Sequence, residues 1–126
     1  MKNSRAVFDW ADFLWLAQEL GHREVSEPLG EAAQRTAVSR AYYAAFCATR
    51  DYAVQQLSYH PQHSGKDHSE LQKHLRRYGG QWTTVANKLE DLRKFRNQCD
   101  YEKQVQNLDS MVAQSLTLAS EVFSQL

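Results

Sequence analysis

The stretch A-V-S-R-A-Y-Y-A-A-F-C-A-T-R-D-Y-A-V, from Ala37 to Val54, decides the fold of this chain. It contains no Gly and no Pro, and alanine, the residue with the highest helix propensity, recurs through it. Its polar interruptions are Ser39, Arg40, Arg50 and Asp51. Placed on a helix, the apolar side chains cover most of the circumference, so the helix needs neighbours on several sides. The stretch therefore predicts the central helix of a helical bundle.

Hydrophobic periodicity predicts further helices on both sides of this centre, and no β pattern competes with them. Gly21 is expected to end the first helix, and Gly79-Gly80 to end the third. The predicted helices run from Asp9 to Leu20, from about Ser26 to Leu57, from Asp67 or Ser69 to Tyr78, from about Trp82 to Cys99 and from about Leu108 to Phe123. The prediction is one all-α domain, residues 1–126, folded as an up-and-down bundle of four long helices and one short helix.

Composition limits the classes of function. Fifteen basic and 15 acidic residues give a formal net charge of zero, which argues against binding nucleic acid by bulk charge alone. The two cysteines, Cys47 and Cys99, do not form a disulfide framework of the kind found in secreted domains. Residues 1–5 are polar with no following signal-peptide run, and no apolar segment reaches the roughly 20 residues of a membrane span. We expect a cytoplasmic protein without membrane contact.

The predicted fourth helix carries an arginine where its pattern requires an apolar residue. Val85, Leu89 and Leu92 follow one face, and the next step on that face is Arg96. A buried guanidinium without a partner costs several kcal/mol, so Arg96 must find acceptors. One interpretation is structural: Arg96 pairs with Asp100, four residues on, and fixes the register of the bundle. The other is functional: Arg96 lies in a cleft and binds a phosphate or carboxylate group.

Other polar residues could complete such a cleft. Arg93, Asn97, Asp100 and Tyr101 flank Arg96 on the same helix. From the central helix, Ser39 and Arg40 either face this cleft or form the polar edge of their own helix. We therefore take these residues, with Arg96, as the candidate binding site.

Two segments together resemble the HEPN superfamily of small prokaryotic helical domains. They are S-R-A-Y-Y-A-A-F, from Ser39 to Phe46, and L-R-K-F-R-N-Q-C-D-Y, from Leu92 to Tyr101. The resemblance implies a bundle of four or five helices, usually a homodimer, in toxin–antitoxin, phage-defence or CRISPR-linked systems. Some members pair with a minimal nucleotidyltransferase, and active members are metal-independent ribonucleases.

The catalytic motif of those ribonucleases matches this chain only in part. The motif has an arginine, a polar residue and then a histidine four to six positions after the arginine. Arg96 and Asn97 match its first two positions, but Tyr101 stands at the histidine position, or Asp100 when the motif is counted from Arg93. The usual pair therefore cannot form on this helix, and Arg-Asn-x-x-Asp-Tyr resembles a variant branch of the superfamily.

Three functional hypotheses follow, and none requires a cofactor or a metal ion. The first is a module that binds RNA, a nucleotide or a partner protein, such as an antitoxin or a nucleotidyltransferase, around Arg96 without cleavage. The second is a divergent metal-independent ribonuclease toxin that uses Arg96, Asn97 and Tyr101. The third is a non-catalytic dimerisation subunit of a larger assembly. The missing histidine favours the first and third hypotheses.

The histidines of the predicted loop leave one more question. His60, His63 and His68 lie close together in sequence, but their spacing fits no standard zinc motif and no cysteine accompanies them. A solvated polar loop is the default interpretation, with a metal site as the alternative. A further alternative is that one of these histidines reaches the Arg96 cleft and replaces the missing one.

Overall fold

The computed structural model describes residues 7–126, which form an all-α structure with no strand in that range. The prediction of an all-helical chain is confirmed. Since α1 and α3 both have 12 residues, the division into four long helices and one short helix is not confirmed. The helices are α1 (Ala11–His22), α2 (Gly30–Gln56), α3 (Asp67–Tyr78), α4 (Gln81–Tyr101) and α5 (Leu108–Phe123).

Helix α2 is the centre of the bundle, as its sequence predicts. It packs against α1, α4 and α5, while α3 packs mainly against α4. Five of its alanines are fully buried, which lets the neighbouring helices come close to its backbone: Ala37, Ala41, Ala44, Ala45 and Ala53. The surrounding helices add larger aliphatic side chains, which contribute about 1.5–3 kcal/mol each when fully buried. They include Leu71, Leu75, Leu89, Leu92 and Val122.

Two glycines and an asparagine set the ends of the later helices. Gly79 and Gly80 have φ of 75° and 58°, a region that side chains with a Cβ rarely enter, and they separate α3 from α4 as predicted. Asn107 has φ of 54° and directly precedes α5. Asparagine tolerates this left-handed conformation better than most residues.

The predicted role of Gly21 as the end of α1 is wrong. The helix continues through Gly21 to His22. A Cβ at Gly21 would lie 2.9 Å from Leu116 Cδ1 and 3.0 Å from Val112 Cγ1. Gly21 therefore lies where α1 packs closely against α5, and a larger residue there would require Leu116 or Val112 to shift. Similarly, α2 begins at Gly30 and not at the predicted Ser26, because Ser26 and Leu29 are joined in a preceding turn by a 3.1 Å hydrogen bond.

The carboxyl-terminal end of α4 is held by an arginine of α2. Arg35 donates hydrogen bonds to the backbone carbonyls of Cys99 at 3.1 Å, Glu102 at 2.6 Å and Lys103 at 3.1 Å. The last carbonyls of a helix have no partner within the helix, so these bonds satisfy groups that would otherwise need water. Arg35 thus fixes the segment that carries the end of the Leu92–Tyr101 motif.

Over residues 7–126, none of the helices combines the length and the apolar character that a membrane span requires.

Candidate functional site

Arg96 lies at the surface between α2 and α4, with 13% of its side chain exposed. Its Nε donates to Asp100 Oδ2 at 2.9 Å, which is the pair expected from the four-residue spacing. Its Nη1 donates to Asn97 Oδ1 at 2.9 Å, and its Nη2 donates to the Tyr101 hydroxyl at 3.3 Å. The guanidinium is thus held by residues of its own helix. Because these bonds satisfy its donors and part of the side chain is exposed, an arginine can stand where the pattern expects an apolar residue.

Helix α2 supplies the opposite wall of this site. The Tyr43 hydroxyl accepts a hydrogen bond from Arg96, and the Tyr43 ring centroid lies 4.9 Å from the guanidinium carbon. Ser39 donates a hydrogen bond to Asp100 Oδ2 at 3.2 Å. The guanidinium carbon of Arg40 also lies over the Tyr43 ring, 5.0 Å from the ring centroid. The predicted candidates Ser39, Arg40, Asn97, Asp100 and Tyr101 therefore all lie around Arg96.

Arg93, one turn earlier on α4, differs from Arg96 in lacking partners. Its Nε is buried and has no hydrogen-bond partner among residues 7–126. None of the ion pairs in that same part of the chain involves Arg93. Its charge acts on the Tyr42 hydroxyl and on the His68 ring, so it lies in range of both. Arg93 therefore has a guanidinium whose Nε is not satisfied by the described part of the chain.

His68, the second residue of α3, is the member of the site that the pattern of α4 could not identify. Its ring stacks on Phe46 at 4.5 Å and on Tyr42 at 5.5 Å, and its edge meets Tyr43 at 6.2 Å. Its Nδ1 shares a hydrogen bond with the Tyr42 hydroxyl. Burial, together with the charges of Arg93 and Arg96, lowers the pKa of His68, so the imidazole is neutral at pH 7.

Of the histidines His60, His63 and His68, it is His68 that contacts Tyr43, the partner of Arg96. Tyr43 was also missed as a site residue, although it belongs to the S-R-A-Y-Y segment. Tyr43 could have been identified from its place beside Tyr42 in this segment. Tyr42 is fully buried, and its neighbour Tyr43 is partly exposed. Tyr42 keeps its proton, because burial raises its pKa above the ordinary value. No group of three or more His, Cys, Asp or Glu within residues 7–126 is arranged to hold a metal ion.

Two guanidinium groups, a neutral imidazole and several aromatic rings thus meet where α2, α3 and α4 come together. We call Arg93, Arg96, Tyr43 and His68 the Arg93–Arg96 site. Guanidinium groups bind phosphate oxygens through paired donors, and a neutral imidazole accepts or gives a proton near pH 7. No protein-family model, curated protein or solved structure matches this chain. A function must therefore be proposed from the residues and their geometry.

Proposed function

We propose that this protein is a HEPN-like helical module that binds RNA through its phosphate groups at the Arg93–Arg96 site. The observation that carries the proposal is Arg93, whose buried Nε has no partner among the described residues. A buried donor without an acceptor costs about 1–3 kcal/mol, so the fold holds this guanidinium in place without satisfying it. The residue as a whole is partly exposed, and a phosphate would bind at the exposed part of the guanidinium. Arg96, already oriented by Asp100, provides a second cation on the next turn of α4.

RNA fits this site better than an isolated anion does. Tyr101 is 70% exposed, and its ring lies 5.4 Å from the Arg96 guanidinium carbon, at the edge of the site. Exposed aromatic rings next to cationic groups are the usual platform for unstacked bases of single-stranded RNA. The chain has no net charge, so we expect binding to depend on these few residues and not on a broad basic surface.

The test measures binding of a fluorescein-labelled single-stranded RNA by anisotropy. Arg93→Met should weaken binding by about tenfold and reduce the slope of log affinity against log salt by about one. Lys94→Met is the matched control, because it removes the same charge from the next residue, which is exposed. We expect less than a threefold change for it. Equal losses in both variants, or no binding by the wild type, would overturn the proposal.

A second candidate is a metal-independent ribonuclease, and the position of His68 favours it. Nδ1 is engaged with Tyr42, which leaves Nε2 for a ligand. With its hydrogen on Nδ1, donated to the Tyr42 oxygen, the neutral imidazole would take the proton of a ribose 2′-hydroxyl on Nε2 as this oxygen attacks phosphorus. The bond from phosphorus to the 5′-oxygen then breaks, which leaves a 2′,3′-cyclic phosphate, and the 5′-oxygen takes a proton from water. Arg93 and Arg96 would stabilise the charge that develops on the phosphate oxygens.

This candidate is tested by incubating a mixed RNA pool with purified protein in EDTA, which suppresses metal-dependent contaminants. Cleavage by wild type but not by His68→Gln or Arg96→Ala would establish the ribonuclease. If wild type binds the RNA and leaves it intact, the protein is a binding module.

The biological setting of the proposal follows from the resemblance of the Ser39–Phe46 and Leu92–Tyr101 segments. They support a single HEPN-like domain that acts as a homodimer in the cytoplasm, with an antitoxin or a minimal nucleotidyltransferase as partner. Light scattering tests the dimer directly, and a monomer at high micromolar concentration would contradict it. Arg96→Ala should remove RNA binding and leave the helical content unchanged.

A further inference from the structure

A second concave site lies beside the Arg93–Arg96 site, on the other side of His68. It has a volume of about 600 Å³, within the range of small-ligand sites. We call it the Arg50 pocket. Helix α2 contributes Phe46, Arg50, Asp51 and Val54, and the α2–α3 connection and the start of α3 contribute Pro61, His63, Asp67 and His68.

The loop wall of this pocket has a defined shape. The buried Asp67 carboxylate accepts hydrogen bonds from the Tyr59 hydroxyl at 2.6 Å and from the backbone N–H groups of Gln62 and His63 at 2.9 Å each. Burial opposes ionisation of Asp67, but these bonds outweigh it and lower its pKa. The carboxylate is therefore ionised, and its oxygens are occupied by donors of the loop.

Arg50 is the permanent cation of the pocket. Its Nε and Nη2 both contact Asp51 Oδ1 at 3.3 Å, near the long limit of hydrogen bonding. The other oxygen of Asp51 accepts a much shorter bond, at 2.7 Å, from Trp10 Nε1. Arg50 therefore keeps donors for a ligand, while Asp51 is oriented mainly by Trp10.

The Arg93–Arg96 site and the Arg50 pocket share one side chain, that of His68. The His68 ring contacts Tyr43, which accepts the hydrogen bond from Arg96, and it also stacks on Phe46, which lines the Arg50 pocket. A phosphate at the Arg93–Arg96 site would thus have the pocket as its neighbour. RNA carries one phosphate per nucleotide, so a bound chain has a further sugar, base and phosphate available for a neighbouring site.

We propose that the Arg50 pocket binds the nucleotide adjoining the phosphate held by Arg93 and Arg96, with Arg50 on the second phosphate and the base against Phe46 and Pro61. The inference rests on the proposed RNA binding and deepens it, because the site then recognises at least two successive nucleotides.

The experiment compares uridine 3′-monophosphate with the dinucleotide UpUp as competitors of a labelled octauridylate. The wild type should bind the dinucleotide about tenfold more tightly than the monophosphate, equivalent to about 1.4 kcal/mol. Arg50→Gln should remove this gain and leave the affinity for the monophosphate unchanged. Arg93→Met should weaken binding of both compounds.

Two further variants keep the test independent of folding defects. Val54→Trp fills the pocket from a position that is 42% exposed, so the core is not disturbed, and it should also remove only the dinucleotide gain. Arg77→Gln removes an exposed cation elsewhere on α3 and should leave both affinities unchanged. If Arg50→Gln and Val54→Trp bind the dinucleotide like the wild type while Arg93→Met binds neither compound, the pocket assignment is wrong and RNA binding stands. If the wild type binds no RNA, both proposals fail.

Discussion

An arginine lies at the end of α4 and another in its middle, and their guanidinium groups are bonded in opposite ways. At the end, Arg35 donates to three backbone carbonyls and also to the Glu31 carboxylate at 2.9 Å. In the middle, Arg93 has a buried Nε that donates to no acceptor in the described part of the chain. Arg96, between the two regions, is bonded only to side chains.

This difference separates arginines that hold the fold from arginines that are open to a ligand. Backbone carbonyls cannot move away without unwinding a helix, so an arginine bound to them is part of the structure. Side-chain partners can rotate to other acceptors, and an absent partner leaves the donors available. Arg35 is therefore structural, Arg93 is the candidate binding residue, and Arg96 combines both properties.

The largest expected effect is on stability, from Arg35→Met. The change leaves the carbonyls at the end of α4 without their charged donor, so we expect the free energy of unfolding to fall by about 2–4 kcal/mol in urea titrations. Arg23→Met is the matched control, since its pair with Glu19 is exposed and should contribute less than about 1 kcal/mol. A loss below 1 kcal/mol for Arg35→Met would show that α4 ends independently of α2.

Arg93→Met should change the free energy of unfolding in the opposite direction from Arg35→Met. It removes a buried donor without a partner and keeps a side chain of similar length, so the free energy of unfolding should stay constant or rise by about 1 kcal/mol. The same urea titration measures it, alongside the tenfold loss of RNA affinity expected above. A clear loss of stability would mean that Arg93 packs or bonds as Arg35 does, and the contrast between the two would disappear.

Asp100→Asn tests how far Arg96, which combines both properties, is available to a ligand. The change removes the negative charge beside the guanidinium, while an asparagine oxygen can still accept the bond from Ser39. We expect RNA affinity to rise about two- to fivefold, the equivalent of one partly exposed ion pair. Glu90→Gln makes the same charge change on α4 at the Arg76 and Lys94 pairs, and its effect should be below twofold. Weaker RNA binding by Asp100→Asn would show that the carboxylate positions Arg96 instead of competing for it.

The smallest expected effect is the pH dependence that comes from His68. Its pKa in the folded protein lies below the ordinary value of 6.5, so between these two values the unfolded chain binds more protons. Stability from this group is therefore complete above about pH 6.5 and falls as the pH drops toward the folded-state pKa. Urea midpoints at about pH 7.5 and about pH 5.5 should differ less in His68→Gln than in wild type. An unchanged difference would mean that burial and the two arginines together do not lower the pKa of His68.

The sequence predicted well those features that depend on neighbours along the chain. The period of apolar residues gives α5 as Leu108–Phe123, and the four-residue spacing gives the Arg96–Asp100 pair. The glycine pair that separates α3 from α4 follows from backbone sterics at Gly79 and Gly80. Each of these features is decided within a few residues, so a local pattern contains the necessary information.

Features that need tertiary contacts were missed or misjudged. The contact of Arg96 with Tyr43 joins residues 53 positions apart, and the bond of His68 with Tyr42 spans 26 positions. Gly21 has the sequence context of a helix end, but its closeness to Leu116 of α5 decides its role. Within residues 7–126, the lack of an acceptor for Arg93 Nε is likewise a property of the packed helices and not of their sequence.

The hydrogen bonds of Asp67 also have a consequence for the order of folding. They reach partners at most eight positions away, whereas those from Arg35 to the end of α4 span 64 to 68 positions. Closing a short loop costs less entropy, and local contacts form early in folding. We therefore expect the wall of the Arg50 pocket to take shape before the helices dock, and the end of α4 to close late.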